Sequence, residues 1–373
     1  MTKPSIGLLH NSLNNIGGAE FFCVDLLNIL KHNGYKVNLA TFDKVNWTQV
    51  QNYFGKTEKS DKEICLLPFK YSFFTVYQRL LVNLRRNALK SCSDLTINTH
   101  SDTLFFPTDL AYIHGVMPQL DINQIKTQFS TFKIPYMIPY QLITSHLKDY
   151  PSVFVANSLY TKQRLLDFRG VTAKHVIYPP IHTELYRDLA THVREQDIVV
   201  TVGRFAKEKN LVAVLDIAER TKSNILFIII GQANNKIENH YYTNLIFQVM
   251  KRKLSSKVLV FKNIPQNLKR KMLSRAKVYL QPSTVEHFGI ALAEAISAGC
   301  LPVAVNKGGS LEIIENITEP YRTFEEAAEM VEYGCKNWSP VVAQELSSRM
   351  ERFNLKRFEN EMLNLVEEVG TQK

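Results

Sequence analysis

The sequence predicts two doubly wound α/β domains, and three observations support this fold class. The chain has 373 residues, which exceeds one ordinary hydrophobic core and fits two domains of roughly 180 residues each. Short β-branched runs alternate with helical patterns, as in domains built from βαβ units. The pair Pro179-Pro180 stiffens a crossing segment near the middle of the chain and marks the expected boundary.

In the N-terminal half, an apolar run predicts the first strand at 5–10, and a helix at 19–33 ends at Gly34. The alternating segment 35–42 predicts a half-exposed strand. Further strands are predicted at 95–99, 110–113, 153–156 and 175–178.

In the C-terminal half, strands are predicted at 198–202, 225–231, 258–261, 278–281 and 301–305, with helices between them. From Thr323 onward the pattern is helical throughout.

Composition excludes several classes of protein. With 45% apolar and 21% charged residues the chain is globular rather than disordered. Its five cysteines form no CxxC pair and no Cys/His cluster at zinc spacing, which predicts reduced thiols. The N-terminus lacks a cleavable apolar region, and no apolar run reaches the roughly 20 residues of a membrane span. We therefore expect a cytoplasmic protein, with peripheral attachment to the cytoplasmic membrane face left open.

Residues 64–90 contain five basic residues, no acidic residue and many aromatics, in a chain of net charge +10. Such a stretch suits an anionic membrane surface. It would also suit nucleic acid, but no nucleic-acid-binding motif accompanies it, and no nucleic-acid partner is expected. The third interpretation is an ordinary outer helix with solvated charges.

The most informative segment is 286–312, EHFGIALAEAISAGCLPVAVNKGGSLE. Glu286 precedes a glycine-opened helix and Glu294 lies inside it. If the whole span were helical, the two carboxylates would lie about 12 Å apart. Carboxylates accept paired hydrogen bonds from vicinal hydroxyls, so this spacing suits the two ends of a sugar nucleotide. Two exposed carboxylates on a strand–helix–strand unit are the alternative.

A second motif, Gly203-Arg204-Phe205-Ala206-Lys207-Glu208-Lys209, follows a predicted strand. A glycine at a strand end lets the backbone approach a ligand, and two cations five residues apart can face one diphosphate. Strand carboxyl ends in open α/β sheets are where ligands bind. The alternative is that both cations are surface charges.

Two features of the N-terminal half are weaker signals. Gly17 and Gly18 open the first predicted helix, where the backbone can approach a ligand and an anion is favoured. The full G-x-G-x-x-G dinucleotide fingerprint is absent. His114 ends a predicted strand, with His100 as the rival candidate, although a single histidine there is more often structural than catalytic.

These motifs together resemble the retaining glycosyltransferases of the GT-B fold, in the large family defined by the E-x7-E signature (family 4). The G-R-x4-K, G-G-A-E and Y-x-H elements occur here at 203–209, 17–20 and 112–114. EHFGI followed by N-x-GG is similar to the α-mannosyltransferases that extend dolichol-linked oligosaccharides. The resemblance implies two Rossmann-like domains that face each other across a cleft. The acceptor-binding domain would comprise 1–180 with a returning C-terminal helix at about 355–373, and the donor-binding domain 181–354.

The resemblance also implies roles for individual residues. Arg204 and Lys209 would stabilise the leaving diphosphate. Glu294 would bind the ribose hydroxyls, and Glu286 would contact the transferred sugar. Further donor contacts would come from Gly17, Gly18, Gly203, His287, Phe288, Gly289, Ile290, Gly308 and Gly309, and His114 would touch the sugar or phosphate.

The implied reaction moves a hexose, expected to be mannose, from a GDP- or UDP-sugar to a hydroxyl of a glycan acceptor. This acceptor is expected to be polyprenyl-linked. Anomeric configuration would be retained without a metal, another cofactor or a protein nucleophile. Two alternatives remain: transfer to a soluble small molecule or protein, and nucleotide-sugar binding without catalysis.

Overall fold

The computed structural model describes residues 3–14, 17–69, 78, 81–100, 107–116 and 152–372. The chain divides into two compact units, residues 1–180 with 356–373 and residues 181–355. Each unit contains a parallel sheet with helices, as the sequence predicts.

The N-terminal unit is built on a sheet whose strands all pair in parallel. The strands are β1 (Ser5–Leu9), β2 (Lys36–Asp43), β3 (Lys62–Leu67), β4 (Leu95–Asn98), β5 (Leu110–Ile113), β6 (Val153–Ala156) and β7 (His175–Val176). Their order is β3-β2-β1-β4-β5-β6-β7, so the direction of winding reverses between β1 and β4. Six of these strands confirm the predicted ones to within a few residues, and β3 was not predicted.

The helices of this unit begin and end where the local sequence favours it. They are α1 (Gly18–His32), α2 (Trp47–Phe54), α3 (Arg86–Lys90), α4 (Leu159–Arg169) and the C-terminal helix (Leu355–Thr371). The predicted stop of α1 is confirmed, since Gly34 adopts a φ of 78° that glycine tolerates best. At the start of α2 the Asn46 side chain accepts a hydrogen bond from the Gln49 amide.

The C-terminal helix packs on the N-terminal unit, as the resemblance implies. Its apolar stripe is buried, and the Phe358 ring meets the Phe22 ring edge to face at 5.3 Å between centroids. Arg357 donates a hydrogen bond to the Tyr178 carbonyl, and Lys174 pairs with Glu368 at 2.5 Å. Burying one large apolar side chain such as Phe358 contributes about 1.5–3 kcal/mol.

The C-terminal unit contains a second parallel sheet, of order β10-β9-β8-β11-β12. Its strands are β8 (Ile198–Arg204), β9 (Leu226–Gln232), β10 (Val258–Lys262), β11 (Val278–Gln281) and β12 (Leu301–Ala304). All five were predicted. Its helices are α5 (Val212–Arg220), α6 (Lys236–Lys251), α7 (Gln266–Leu273), α8 (Ile290–Ser297), α9 (Ser310–Ile314), α10 (Phe324–Asn337) and α11 (Pro340–Arg349).

The basic stretch 64–90 falls only partly within the described residues. Its first four residues belong to β3 and its last five to α3, so an interpretation as one outer helix is wrong. Among the described part of the chain, no helix is both long and apolar enough to cross a bilayer.

Candidate active site

The sheet of the C-terminal unit reverses its winding between β8 and β11, which are neighbours. In open parallel sheets, ligands bind outside the carboxyl ends of the strands at such a switch point. The predicted donor-side residues of this unit all lie at or after the carboxyl ends of β8, β11 and β12: Gly203, Arg204, Lys209, Glu286, His287, Phe288, Gly289, Ile290, Glu294, Gly308 and Gly309.

The segment after β8 is anchored by a buried aromatic ring. Phe205 is fully buried, and a methyl group added at Gly231 would come within 2.6 Å of its ring. A methyl group at Gly203 would meet the Lys209 side chain at 3.4 Å. Gly231 therefore leaves room for the phenylalanine anchor, whereas a methyl group at Gly203 would make only an ordinary contact with the aliphatic stem of Lys209.

Lys209 and Glu286 form the central ion pair of the site, with the Lys209 Nζ atom 2.6 Å from the Glu286 Oε2 atom. Gln281 donates a second, longer hydrogen bond of 3.4 Å to the same oxygen. Burial alone would raise the pKa of Glu286. The Lys209 ammonium outweighs that effect, with smaller contributions from His287 and Arg204, and the pKa lies below its ordinary value. Glu286 is therefore an ionised acceptor.

Gly308 and Gly309 hold the Glu286 backbone by close packing. A methyl group on Gly308 would lie 2.7 Å from the Glu286 carbonyl oxygen, and one on Gly309 would lie 1.9 Å from the His287 carbonyl oxygen. The Gly309 amide donates to the Glu286 carbonyl at 2.7 Å. The structure thus gives Gly309 a role that the sequence did not indicate: its amide positions Glu286 and is engaged within the protein.

Gly289 places the start of α8 beside this loop. Its φ of 115° lies in the region that favours glycine, and α8 begins at the next residue, which confirms the glycine-opened helix. The amides of the first helical turn lack partners within a helix and carry the positive end of its dipole. Because helix begins only at Ile290, the 12 Å spacing for a fully helical span does not apply.

Glu294 lies within α8, and both of its oxygens accept hydrogen bonds. The Tyr186 hydroxyl donates to Oε1 at 2.9 Å, and the Lys269 ammonium lies 2.8 Å from Oε2. Burial raises the pKa of Tyr186 and the Glu294 carboxylate raises it further, so this phenol is a hydrogen-bond donor. The Glu294 carboxylate is consequently fixed in orientation before any ligand arrives.

Tyr279 is a buried tyrosine whose pKa responds to both glutamates. It is fully buried on β11, and its hydroxyl donates to the Val202 carbonyl of β8 at 3.1 Å. Burial raises its pKa, and the nearby charges of Glu286 and Glu294 raise it further. Both carboxylates therefore lie close enough to influence the ionisation of this phenol.

Arg204 is the most accessible charge of the site, with half of its side chain exposed. It pairs with Glu208 at 3.0 Å and with Glu238 at 3.5 Å. Arg204 also lowers the pKa of Glu286 through space, which places it in the same charged cluster as Lys209.

The remaining predicted residues of this unit differ in which of their atoms could contact a ligand. The Phe288 ring is buried against Phe353, with centroids 5.3 Å apart, so only its backbone can meet a ligand. His287 and Ile290 are partly buried beside Glu286 and at the start of α8. Sequence reasoning missed Tyr186, Lys269, Gln281 and Tyr279, none of which belongs to a motif with recognisable spacing.

The other predicted residues lie in the N-terminal unit, at the carboxyl edge of its sheet. Gly17 and Gly18 open α1, and a methyl group on Gly17 would lie 2.7 Å from the Glu20 Oε2 atom. His114 follows β5, and its Nε2 atom lies 3.1 Å from the Thr99 carbonyl, so that Nε2 carries the proton. His100 follows β4, and its Nδ1 atom lies 3.4 Å from His10.

Solved structures match this architecture over almost the whole chain. The Anabaena protein Alr3699/HepE, solved with UDP and glucose, superposes with a TM-score of 0.74 at 16% identity, covering 98% of this chain and all of its own. Sucrose-phosphate synthase from Thermosynechococcus elongatus gives a TM-score of 0.77 at 15% identity, with full coverage of both chains. At these identities the likeness establishes the fold.

Two doubly wound units, with paired cations and carboxylates at the switch point of the second, have the architecture of the GT-B fold. Residues 184–332 match the family model described as glycosyl transferases group 1, and this range contains Arg204, Lys209, Glu286 and Glu294. This part of the chain is therefore identified as a glycosyl transferases group 1 region.

The most similar relatives include two classes of enzyme. The alpha-1,3/1,6-mannosyltransferase ALG2 of Yarrowia lipolytica is 23% identical over 90% of this chain and 83% of its own length. ALG2 of Saccharomyces cerevisiae is 26% identical over 84% and 72%. The GDP-Man:Man(3)GlcNAc(2)-PP-Dol alpha-1,2-mannosyltransferase of Xenopus tropicalis is 28% identical, over half of this chain and 40% of its own.

Proposed function

We propose that this glycosyltransferase moves mannose from GDP-mannose to a hydroxyl group of a lipid-linked glycan, with retention of anomeric configuration. The observation that carries the proposal is the arrangement at the switch point: Lys209 against Glu286, with Glu294 fixed by Tyr186 and Lys269. Likeness to mannosyltransferases over most of the chain supports the choice of sugar and acceptor.

Each group has a chemical task in this proposal. Arg204 and Lys209 balance the charge that develops on the leaving diphosphate, together with the amides at the start of α8, and no metal ion is needed at the donor site. Glu294 accepts hydrogen bonds from the ribose hydroxyls, and Glu286 from hydroxyls of the transferred hexose. The roles of His114, Gly17 and Gly18 rest on the family resemblance alone.

The two glutamates act by binding rather than as a nucleophile and an acid. Retaining hydrolases place two carboxylates about 5 Å apart across one sugar bond. Here each carboxylate is occupied by its own lysine, which favours hydrogen bonding to a long ligand over proton transfer. The leaving phosphate takes the proton of the acceptor hydroxyl on the same face of the sugar.

The acceptor is proposed to be presented at an anionic membrane surface. Within the described part of 64–90, Phe69 and Leu84 are 58% and 66% exposed, and Lys90 is also exposed. Exposed apolar side chains next to cations suit the headgroup region, where each cation contributes about 1 kcal/mol. Basic residues Lys70 and Arg79 lie outside the described residues.

A donor panel tests the proposal directly. Purified full-length protein is incubated with GDP-mannose, GDP-glucose, UDP-glucose or UDP-GlcNAc and a short polyprenyl-diphosphate glycan, and product anomers are assigned by NMR. We expect transfer from GDP-mannose with an α-linkage. Equal transfer to a soluble glycan without the lipid would favour a soluble acceptor. Nucleotide-sugar binding without transfer or hydrolysis would refute catalysis.

A further inference from the structure

Three side chains with metal-ligating atoms converge in the N-terminal unit. Among the described residues, His10, Glu20 and His100 form such a group, with one ligand atom from each within 4.8 Å of the others. His10 follows β1, His100 follows β4 and Glu20 lies in the first turn of α1. The group thus occupies the switch point of this sheet, and it takes no part in the proposed donor chemistry.

The hydrogen bonds around His10 determine which of its nitrogens is protonated. The Thr99 hydroxyl donates its proton to the Leu9 carbonyl at 3.1 Å, since a carbonyl can only accept. With the hydroxyl proton placed on this carbonyl, the 2.9 Å contact between Thr99 Oγ1 and His10 Nδ1 is donated by Nδ1–H. In the neutral ring, the Nε2 lone pair then points towards Glu20 and His100.

The separations of these atoms fit a divalent ion. His10 Nε2 lies 3.8 Å from Glu20 Oε1 and 3.4 Å from His100 Nδ1. Two ligand atoms at the usual zinc distance, about 2.05 Å from the ion, lie about 3.4 Å apart at the tetrahedral angle. The three ligand atoms lie within 4.8 Å of one another, so side-chain movements that shorten the wider separations would let one ion bind all three.

Two features outside the ligand set also suit a metal. A ligating histidine usually donates its other N–H to an oxygen, as His10 does to Thr99, and this orients the ring. Gly17 leaves the space into which the Glu20 carboxylate turns, because a methyl group there would lie 2.7 Å from Oε2.

We propose that His10, Glu20 and His100 form a binding site for a first-row divalent ion of the Zn²⁺ type, with a fourth position for water or another oxygen ligand. Two histidines and one glutamate are a ligand set that zinc accepts. The inference concerns the N-terminal unit alone and is independent of the sugar or nucleotide used at the other site.

The test is metal binding by the full-length protein. Chelator-stripped protein is titrated with Zn²⁺ against a chromophoric competitor, and with Co²⁺ by visible absorption. We expect about one ion per chain and the intense bands of tetrahedral Co²⁺. His100→Ala and Glu20→Gln should weaken Zn²⁺ binding about 100-fold or more, and Thr99→Val about 10- to 100-fold, as for loss of an outer-shell partner.

The matched control is His32→Ala. His32 Nε2 also lies 3.8 Å from a carboxylate, that of Glu58, but this pair is exposed and forms no part of the three-residue group. Its loss should leave Zn²⁺ affinity unchanged. Less than about 0.1 equivalent of Zn²⁺ on the wild type, or equal affinity in folded His100→Ala and His32→Ala, overturns the inference. Sugar transfer without zinc binding would overturn it and leave the proposed function standing.

Discussion

Replacing Lys209 by Met should expose how much the site depends on its central ion pair. The pair is short, at 2.6 Å, and the Lys209 and Glu286 side chains are only 23% and 16% exposed. At an effective dielectric constant of 20, two unit charges about 4 Å apart attract by about 4 kcal/mol. Removing both charges from water offsets much of this, so we expect a loss of about 1–2 kcal/mol in the free energy of unfolding.

The effect on turnover should be larger than the effect on stability. If Lys209 stabilises charge on the leaving diphosphate, its loss should lower kcat about 100- to 1,000-fold, as for one preorganised donor. Single-turnover transfer assays measure this step. The matched control is Lys207→Met, an exposed lysine two residues away in the same turn, whose loss should change kcat less than threefold. Equal kcat values in the two variants would refute the reasoning.

The stability difference should also depend on pH. The folded pKa of Glu286 lies below its ordinary value of 4.5. Its contribution is therefore fully present above that value and is lost as the pH falls through the folded pKa. Urea unfolding at pH 7 should show the full difference between wild type and Lys209→Met, and the difference should shrink towards pH 3. A constant difference across this range would mean that the ion pair is not its source.

Three further predictions concern the rest of the site and the membrane surface. Tyr186→Phe removes one hydrogen bond to Glu294 and should weaken nucleotide-sugar binding about 3- to 10-fold by calorimetry; an unchanged Kd would show that Glu294 is held without it. Gly309→Ala brings a methyl group 1.9 Å from the His287 carbonyl and should abolish transfer, whereas Gly370→Ala, which meets nothing within 4 Å, should behave as wild type; normal transfer by Gly309→Ala would show that the loop can yield. Leu84→Ser should reduce co-sedimentation with phosphatidylserine vesicles at low salt, and Leu185→Ser, exposed in the C-terminal unit, should not; equal binding by both would place the membrane contact elsewhere.

The fold was predictable because its signals are local. Short apolar runs ended by glycine or polar residues mark strands such as β8 and β12, and Gly34 and Gly289 mark helix ends through their backbone conformations. The strand β3 was missed because its six residues begin with two charges and are only partly buried, without alternation, and the basic residues that follow dominate that segment. Sheet order and the switch points depend on pairing between distant segments, which no local pattern encodes.

The site was predictable where a motif carries it and unpredictable where packing does. The spacing of Arg204, Lys209, Glu286 and Glu294 identified the charged groups, and the fold brings them to one sheet edge. Their partners could not be found in this way. Lys269 reaches Glu294 from a separate helix, α7, and is one of several neighbouring basic residues. Nothing in its immediate sequence distinguishes it from a solvated lysine.

The cations of the site are already paired with carboxylates before a ligand binds, and this pairing has a consequence for selectivity. Lys209 holds Glu286, Lys269 holds Glu294, and Arg204 pairs with Glu208 and Glu238. A free phosphate can reach the cations only by weakening these pairs, which leaves each carboxylate without its charged partner. A sugar diphosphate supplies acceptor oxygens for the cations and hydroxyl donors for the carboxylates together, so both halves of each pair are satisfied at once. If the donor binds here as proposed, we expect this charge pattern to select the complete nucleotide sugar over its fragments.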